Sequence, residues 1–241
     1  MLCRKWFIVL SLFIIAALSS SACQPIQLVA TATQGQPHQP RPDAPPYAVR
    51  GSSPVGVRDF VINTPDRPIA VSVWYPALNP AAKPEAVTYT LDFPTNDFPA
   101  FTVAGRALRD AEPDYANGPY PLLLHIHAAW STRQEMAYWV EHLASYGFVV
   151  IAPAMTDNWG MLFASVYQSE IARPQDASRT LDFAEELTAA DGQLAGLIDL
   201  DHIAASGWSW GGQVALELAG ARIDLNDWLA TYCQTYPEDG D

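Results

Sequence analysis

The stretch AASGWSWGGQVA, residues Ala204–Ala215, decides the fold of this chain. It has the form G-x-S-x-G, with Ser209 at its centre between Gly207 and Gly211. Because glycine lacks a Cβ, the chain can turn tightly around the serine. The residues before the turn predict a buried strand, and those after it, up to Gly220, predict a helix. Strand, tight turn and helix are the context in which such a serine acts as a nucleophile at a strained bend above a sheet.

The bare motif also occurs by chance, and a glycine turn between a strand and a helix exists in other α/β proteins. The surrounding pattern favours the nucleophile interpretation, because both flanking elements are of the required type. The start of the predicted helix would also direct N–H groups and a positive dipole end at a developing negative charge.

Upstream of the motif, the sequence predicts an antiparallel hairpin followed by alternating strands and helices. Residues 55–62 and 69–76 alternate in polarity and are joined by a turn. Residues 77–118 are Pro-rich and irregular, and the sequence assigns no element to them. Residues 121–127 and 148–153 are continuous apolar strands of the kind that is buried on both faces of a parallel sheet.

Two helices are predicted between these strands and the motif. Ser131 is expected to cap the first, with Gln134 completing a capping box. Pro174 is expected to open the second, with Ala177, Leu181, Ala184 and Leu187 facing inward. This alternation predicts an α/β fold with a mostly parallel sheet, an N-terminal antiparallel hairpin and helices on both faces.

Composition sets the remaining bounds. The chain has 241 residues, enough for one sizeable core, and 49% of them are hydrophobic. The net charge is −13, from 26 acidic and 13 basic residues. So acidic a chain argues against a nucleic-acid partner and suits a soluble domain outside the cell.

The N-terminus has the pattern of an export signal. Arg4 and Lys5 precede an apolar run, residues 6–18, which is followed by small residues and Cys23. This predicts a lipoprotein-type signal peptide over residues 1–22 and a membrane anchor through lipid on Cys23. The alternative is ordinary cleavage nearby and release of the protein. Residues 23–50, rich in Pro and Gln, are predicted to be an extended tether, and residues 51–241 the folded domain.

From about Val57 onward, the chain resembles α/β-hydrolases of the dienelactone-hydrolase-like and platelet-activating-factor-acetylhydrolase-like group. The resemblance is carried by several pieces in family order: Val73–Ala77, the Leu-rich strand ending in His127, Glu141–Val150, Arg173–Ser178, Gly196–Asp199, Asp201–Ile203 and the Gly207–Gly212 turn. One departure is Ala128, which stands where the family has glycine.

The resemblance implies a serine hydrolase that acts on small-molecule esters, of lipid or lactone type. No cofactor is predicted, and His125 and His127 without further ligands are too weak a signal for a zinc site. Ser209 would attack the ester carbonyl. The backbone N–H groups of Trp210 and Ala129 would stabilise the oxyanion, each contributing roughly 3–4 kcal/mol to transition-state stabilisation. Gly207 and Gly211 would shape the turn that presents Ser209.

A hydrolase of this kind needs an acid and a histidine after the serine. All five histidines precede Ser209: His38, His125, His127, His142 and His202. We therefore expect a fragment that lacks the C-terminal strands carrying the acid and the base, which would also leave Cys233 unpaired. The alternative is a non-catalytic, membrane-tethered binding module on a hydrolase fold.

Overall fold

A computed structural model describes residues 43–224, apart from 66, 92–98 and 156–165, together with residues 226, 227, 230, 231 and 234. The predicted signal peptide, Cys23, most of the predicted tether, the loop around Asp157 and Cys233 lie outside the described residues. Among the described helices, none is both long enough and apolar enough to cross a bilayer.

From residue 120 onward, strands and helices alternate as the sequence predicts. The strand before Ser209 is predicted to be buried, but its residues 201–205 are exposed, because it lies at the edge of the described sheet. The strands are β1 (Val55–Ile62), β2 (Ile69–Pro76), β3 (Val87–Leu91), β4 (Phe101–Gly105), β5 (Leu108–Arg109), β6 (Tyr120–Ile126), β7 (Val149–Pro153) and β8 (Ile198–Gly207). The α-helices are α1 (Ala137–Ser145), α2 (Val166–Thr188) and α3 (Trp210–Leu218). Short 3₁₀ turns occupy Pro46–Ala48 and Tyr115–Asn117.

Six of these strands form one sheet in the order β5-β1-β2-β7-β6-β8. The pairs β6–β7, β6–β8 and β1–β5 are parallel, whereas β1–β2 and β2–β7 are antiparallel. The predicted hairpin is confirmed, with Val55 opposite Pro76 and Ile62 opposite Ile69. A largely parallel sheet with an antiparallel N-terminal hairpin is the predicted α/β-hydrolase arrangement.

Helices cover both faces of this sheet, as expected. On one face, α1 contributes Ala137, Val140 and Ala144 to a core that includes Trp74 and Leu123. On the other face, α2 and α3 pack Ala177, Ala184, Leu187 and Val214 against the opposite side of the same strands. Successive leucines of β6 therefore enter different cores, which explains why this strand is apolar at every position.

Both predicted helix starts are wrong. Met136 is the N-cap of α1 and makes no capping hydrogen bond through its side chain. Ser131 lies five residues before this N-cap, so it is too far from the start of α1 to cap the helix. Helix α2 begins at Val166 and contains Pro174, because a proline removes one helical hydrogen bond without ending a helix that packs on the sheet along its length.

The segment that the sequence leaves unassigned contains a second, two-stranded sheet formed by β3 and β4. A buried polar chain joins it to the main fold. The indole N–H of Trp74 donates to the Tyr89 hydroxyl at 2.8 Å, and that hydroxyl donates to Glu141 Oε1 at 2.6 Å. The Arg106 N–H donates to Glu141 Oε2 at 2.8 Å. Burial and the neighbouring Glu141 carboxylate raise the pKa of Tyr89 well above its ordinary value.

The described residues from 45 onward belong to one compact unit, which includes the end of the predicted tether. The Tyr146 hydroxyl lies 3.0 Å from the carbonyl oxygen of Pro46 and 2.6 Å from that of Val49. The backbone N–H of Gly51 donates to the Ser145 hydroxyl at 2.9 Å. Residues 46–51 therefore pack on the end of α1.

Candidate active site

Ser209 lies in the turn between β8 and α3, at the N-cap position of the helix. Its backbone has φ 53° and ψ −124°, a combination that side-chain-bearing residues rarely adopt. The turn is fixed by hydrogen bonds from Gly211 N–H to the Trp208 carbonyl and from Gly212 N–H to the Ser209 carbonyl, both 2.9 Å. Ser209 is exposed. The strained turn thus presents a serine to solvent at the start of a helix.

The two glycines of the motif are required by close backbone contacts. A Cβ on Gly207 would lie 2.1 Å from the backbone of Gly211. A Cβ on Gly211 would lie 2.0 Å from the carbonyl oxygen of Ile126 and 2.8 Å from that of His127. The turn therefore sits directly on the end of β6, beside the loop that follows that strand.

His127 begins this loop and is fully occupied by backbone groups. It is 1% exposed, and its Nδ1 lies 2.7 Å from the Ala128 carbonyl oxygen. Its Nε2 accepts a hydrogen bond from the Met155 N–H at 2.9 Å. The imidazole is therefore neutral, with its proton on Nδ1. Burial, assisted by the nearby Arg173 charge, lowers the pKa of His127 to about 3.

Ala128 is buried and is held from both sides. Its N–H donates to Glu135 Oε1 at 2.9 Å, and its carbonyl oxygen accepts from His127. Burial raises the pKa of Glu135, while Ser131, the Ala128 N–H and Arg173 oppose that rise. Among described residues other than glycine, only Ala82, Asp110, Trp130 and Ser209 have positive φ. The departure from glycine at position 128 thus introduces no left-handed backbone.

Arg173 connects the loop to the elbow, and sequence reasoning gave it no role. Its side chain is completely buried on α2. Nη1 donates to the His127 carbonyl oxygen and Nη2 to that of Ala128, each at 3.2 Å. The guanidinium carbon lies 5.0 Å from the ring centroid of Trp210. The available signal was the spacing of Arg173, Asp176 and Thr180, three polar residues buried among the apolar residues of α2.

The other described histidines have separate environments. His125 is 2% exposed, its Nδ1 lies 3.1 Å from Ser206 Oγ, and burial lowers its pKa to about 4. The ring of His142 stands 5.1 Å from that of Tyr146 on α1. His202 Nδ1 lies 2.7 Å from Asp199 Oδ2 near the start of β8. Each of these three imidazoles thus has a neighbour other than Ser209.

The structure brings together Ser209, Trp210, Gly207, Gly211 and the loop containing Ala129. Cys23 lies outside the described residues, as does His38. Within the described ranges, no group of three or more His, Cys, Asp or Glu side chains is arranged to hold a metal ion.

A model of the chlorophyllase family matches residues 96–233, which is more than half of the chain. The chain belongs to the chlorophyllase family. This places the protein in the α/β-hydrolase superfamily, as predicted. The platelet-activating-factor-acetylhydrolase part of the predicted resemblance stays a prediction.

Two solved structures are similar to this chlorophyllase-family chain. One is a ferulic acid esterase from Streptomyces cinnamoneus, with 23% identity and a TM-score of 0.47, over 73% of this chain and 57% of that one. The other is a dienelactone hydrolase-like promiscuous phosphotriesterase from metagenomic libraries, with 18% identity and a TM-score of 0.41, over 69% of this chain and 54% of that one. The chain therefore spans little more than half the length of each. None of the curated proteins matches it.

Proposed function

We propose that this chain carries the nucleophile half of a serine hydrolase that cleaves carboxylic esters, with Ser209 as the nucleophile. The observation that carries the proposal is the backbone of Ser209. A serine with φ 53° on an exposed turn costs conformational energy, and such strain persists where the surrounding contacts impose it. Here it directs a hydroxyl out of the sheet at the start of α3, where a nucleophile is needed.

The same turn supports an oxyanion site. Trp210 is the first residue of α3, and the first N–H groups of a helix have no partner within it. Ala129 follows the peptide that His127 and Arg173 hold. We assign the two oxyanion contacts to the N–H groups of Trp210 and Ala129. In the reaction, Ser209 Oγ would attack the ester carbon, the alcohol would leave, and water would release the acid from the acyl-enzyme.

The base that removes the Ser209 proton is proposed to come from outside these 241 residues. His127 uses both ring nitrogens on backbone groups, and a pKa near 3 makes it a poor proton acceptor. His125 is paired with Ser206 and has a pKa near 4. Without a base, a serine hydroxyl is a weak nucleophile. An acid and a histidine on further chain would complete the triad.

The substrate proposed is a small-molecule ester with an apolar portion, of lipid or lactone type. Two large apolar side chains flank the turn and the loop: Trp208 is 61% exposed and Trp130 is 56% exposed. We further propose that the protein is exported and anchored through lipid on Cys23, which would hold this site close to a membrane. Metabolic labelling with a fatty-acid analogue, with Cys23→Ser as control, tests the anchor.

The nucleophile is tested with an alkyl fluorophosphonate probe. The 241-residue protein is compared with Ser209→Ala and with Ser206→Ala, a neighbouring serine paired with His125. We expect a label that Ser209→Ala abolishes and Ser206→Ala retains, and that added imidazole accelerates by replacing the base. Absence of label on folded protein, with and without imidazole, would overturn the assignment of Ser209.

The alternative is a tethered binding module without chemistry. His125 contacts Ser206, and His127 contacts backbone groups through both ring nitrogens. Because neither imidazole is available to activate Ser209, these contacts support a binding module as well as they support a hydrolase whose base lies on further chain. The reading frame after Asp241 separates the two. Further strands with an acid and a histidine support the hydrolase, whereas a stop codon with an inert Ser209 supports the binding module.

A further inference from the structure

We propose that Arg173 is a positioning residue that orients both oxyanion donors at once. This inference rests on the proposed function, because it concerns the geometry around Ser209. Arg173 contacts the loop after β6 through two hydrogen bonds and the first residue of α3 through its flat face. These are the two segments that carry the N–H groups of Ala129 and Trp210.

The first step concerns the peptide between Ala128 and Ala129. In a trans peptide the carbonyl and the following N–H lie in one plane and point in opposite directions. The Ala128 carbonyl oxygen is held by His127 Nδ1 at 2.7 Å and by Arg173 Nη2 at 3.2 Å. The Ala129 N–H is therefore directed away from α2. Fixing the carbonyl with two donors fixes the N–H on the other side of the same peptide.

The second step concerns the preceding peptide, which is held in the same way. Arg173 Nη1 donates to the His127 carbonyl oxygen at 3.2 Å, and the N–H of Ala128 donates to Glu135 Oε1 at 2.9 Å. Both ends of this peptide are engaged, so the loop has little freedom to rotate about either plane. Because the N–H of Ala128 already donates to Glu135, we assign the oxyanion contact to the next N–H, that of Ala129.

The third step concerns the start of α3. The guanidinium carbon of Arg173 lies 5.0 Å from the Trp210 ring centroid, within the range of a cation–π contact. Such a contact is stronger when it is removed from water, and the Arg173 side chain is completely buried. The contact ties the residue that follows Ser209 to the same group that holds the loop. One side chain therefore joins the two segments that carry these N–H groups, in addition to the backbone contacts of the turn with the end of β6.

The charge of Arg173 adds to its geometry. The guanidinium is completely buried and lies behind the carbonyl oxygens that it holds, so it polarises the peptide and strengthens the Ala129 N–H as a donor. Lysine would supply the charge without the planar fork that reaches two carbonyls and stacks on a ring. Arginine is thus specifically suited to this place.

The test measures labelling of Ser209 by the alkyl fluorophosphonate, separated into the maximal rate constant and the probe concentration for half-maximal rate. Arg173→Lys and Arg173→Met are compared with Arg179→Met, a variant on the same helix. Arg179 is 34% exposed and pairs with Asp176 at 3.3 Å. All four proteins are checked by circular dichroism and thermal melting, and all are assayed with the same imidazole concentration.

We expect Arg173→Met to lower the maximal rate constant by ~10- to 100-fold, with little change in the half-saturating probe concentration, because oxyanion contacts act in the transition state. Arg173→Lys should lower the maximal rate constant by ~10-fold even if its melting temperature equals that of the wild type. Arg179→Met should have a maximal rate constant within about twofold of the wild-type value. If Arg173→Met does not fold, Arg173→Lys alone decides.

The outcomes separate this inference from the proposed function. A labelled wild type whose folded Arg173 variants react at the wild-type rate overturns the role of Arg173 and leaves Ser209 as the nucleophile. An equal loss in Arg179→Met also overturns it, because the effect would then belong to α2 as a whole. A wild type that takes no label overturns both proposals together.

Discussion

The backbone N–H of Met155 donates a hydrogen bond to Nε2 of His127 across a distance of 2.9 Å. This contact requires an unprotonated nitrogen, and burial lowers the pKa of His127 to about 3. Burial likewise lowers the pKa of His125 to about 4. In an unfolded chain both imidazoles have a pKa of about 6.5. Below that pH the unfolded state binds more protons, so the stability these groups contribute at neutral pH is lost as the pH falls from about 6.5 to 4.

We therefore expect the free energy of unfolding to decrease by about 1.4 kcal/mol per pH unit for each imidazole over this window. Urea unfolding followed by tryptophan fluorescence at half-unit pH steps measures the slope. His125→Gln removes one of the two groups and should reduce the slope by about 1.4 kcal/mol per pH unit. An unchanged slope in this variant would show that His125 does not remain neutral in the fold.

Gly211→Ala should destabilise the protein and prevent Ser209 from reacting with the fluorophosphonate. The added Cβ would meet the Ile126 carbonyl oxygen at 2.0 Å, which only a shift of α3 away from β6 can relieve. We expect a loss of about 1–3 kcal/mol in unfolding free energy. Gly212→Ala is the matched control, because its Cβ would stand 3.2 Å from the nearest backbone atom. Comparable losses in both variants would contradict the contact with β6.

Trp130→Gly should keep or raise the stability, whereas Trp208→Gly should lower it. Both side chains are largely exposed, but only Trp130 has a left-handed backbone, with φ 53°. Glycine relieves a strain of about 1–2 kcal/mol at position 130 and none at position 208. Thermal melting of the two variants measures the difference. If Trp130→Gly melts at a lower temperature than Trp208→Gly, the indole of Trp130 stabilises the fold by more than its backbone strain costs, and the prediction is wrong.

Ile203→Lys should reduce self-association without loss of stability. Strand β8 is the last strand of the described sheet, and Ile203 on it is 47% exposed. Exposed apolar edge strands pair with other chains, and a lysine there discourages such pairing. Light scattering against concentration measures the change. Ile198→Lys, on the same strand but 5% exposed, should unfold the protein and shows that the result depends on position.

Local signals were sufficient for much of the fold. Residues 55–62 and 69–76 alternate and form the predicted hairpin, and the unbroken apolar runs of β6 and β7 lie in the parallel part of the sheet. The elbow was predictable because Gly207 and Gly211 flank Ser209 at a fixed spacing. In each case the residues that determine the conformation are close together in the sequence.

Long-range contacts explain what the sequence did not show. The β3–β4 hairpin is held by Glu141, which lies 52 residues from Tyr89. The place of Arg173 depends on a loop about 45 residues earlier in the chain and on a helix after it. None of these relationships leaves a periodic pattern in the sequence.

The ladder between β6 and β8 also has a consequence for the time course of folding. His125 and Ser206 face each other across it although 81 residues separate them. Closing so long a loop is entropically costly, and contacts of this separation form slowly. The turn that contains Ser209 rests on Ile126 through Gly211, so we expect its backbone strain to appear only after that closure. In a newly synthesised chain, Ser209 would therefore remain unstrained until β8 has paired with β6. Reactivity at this residue would then report completed folding.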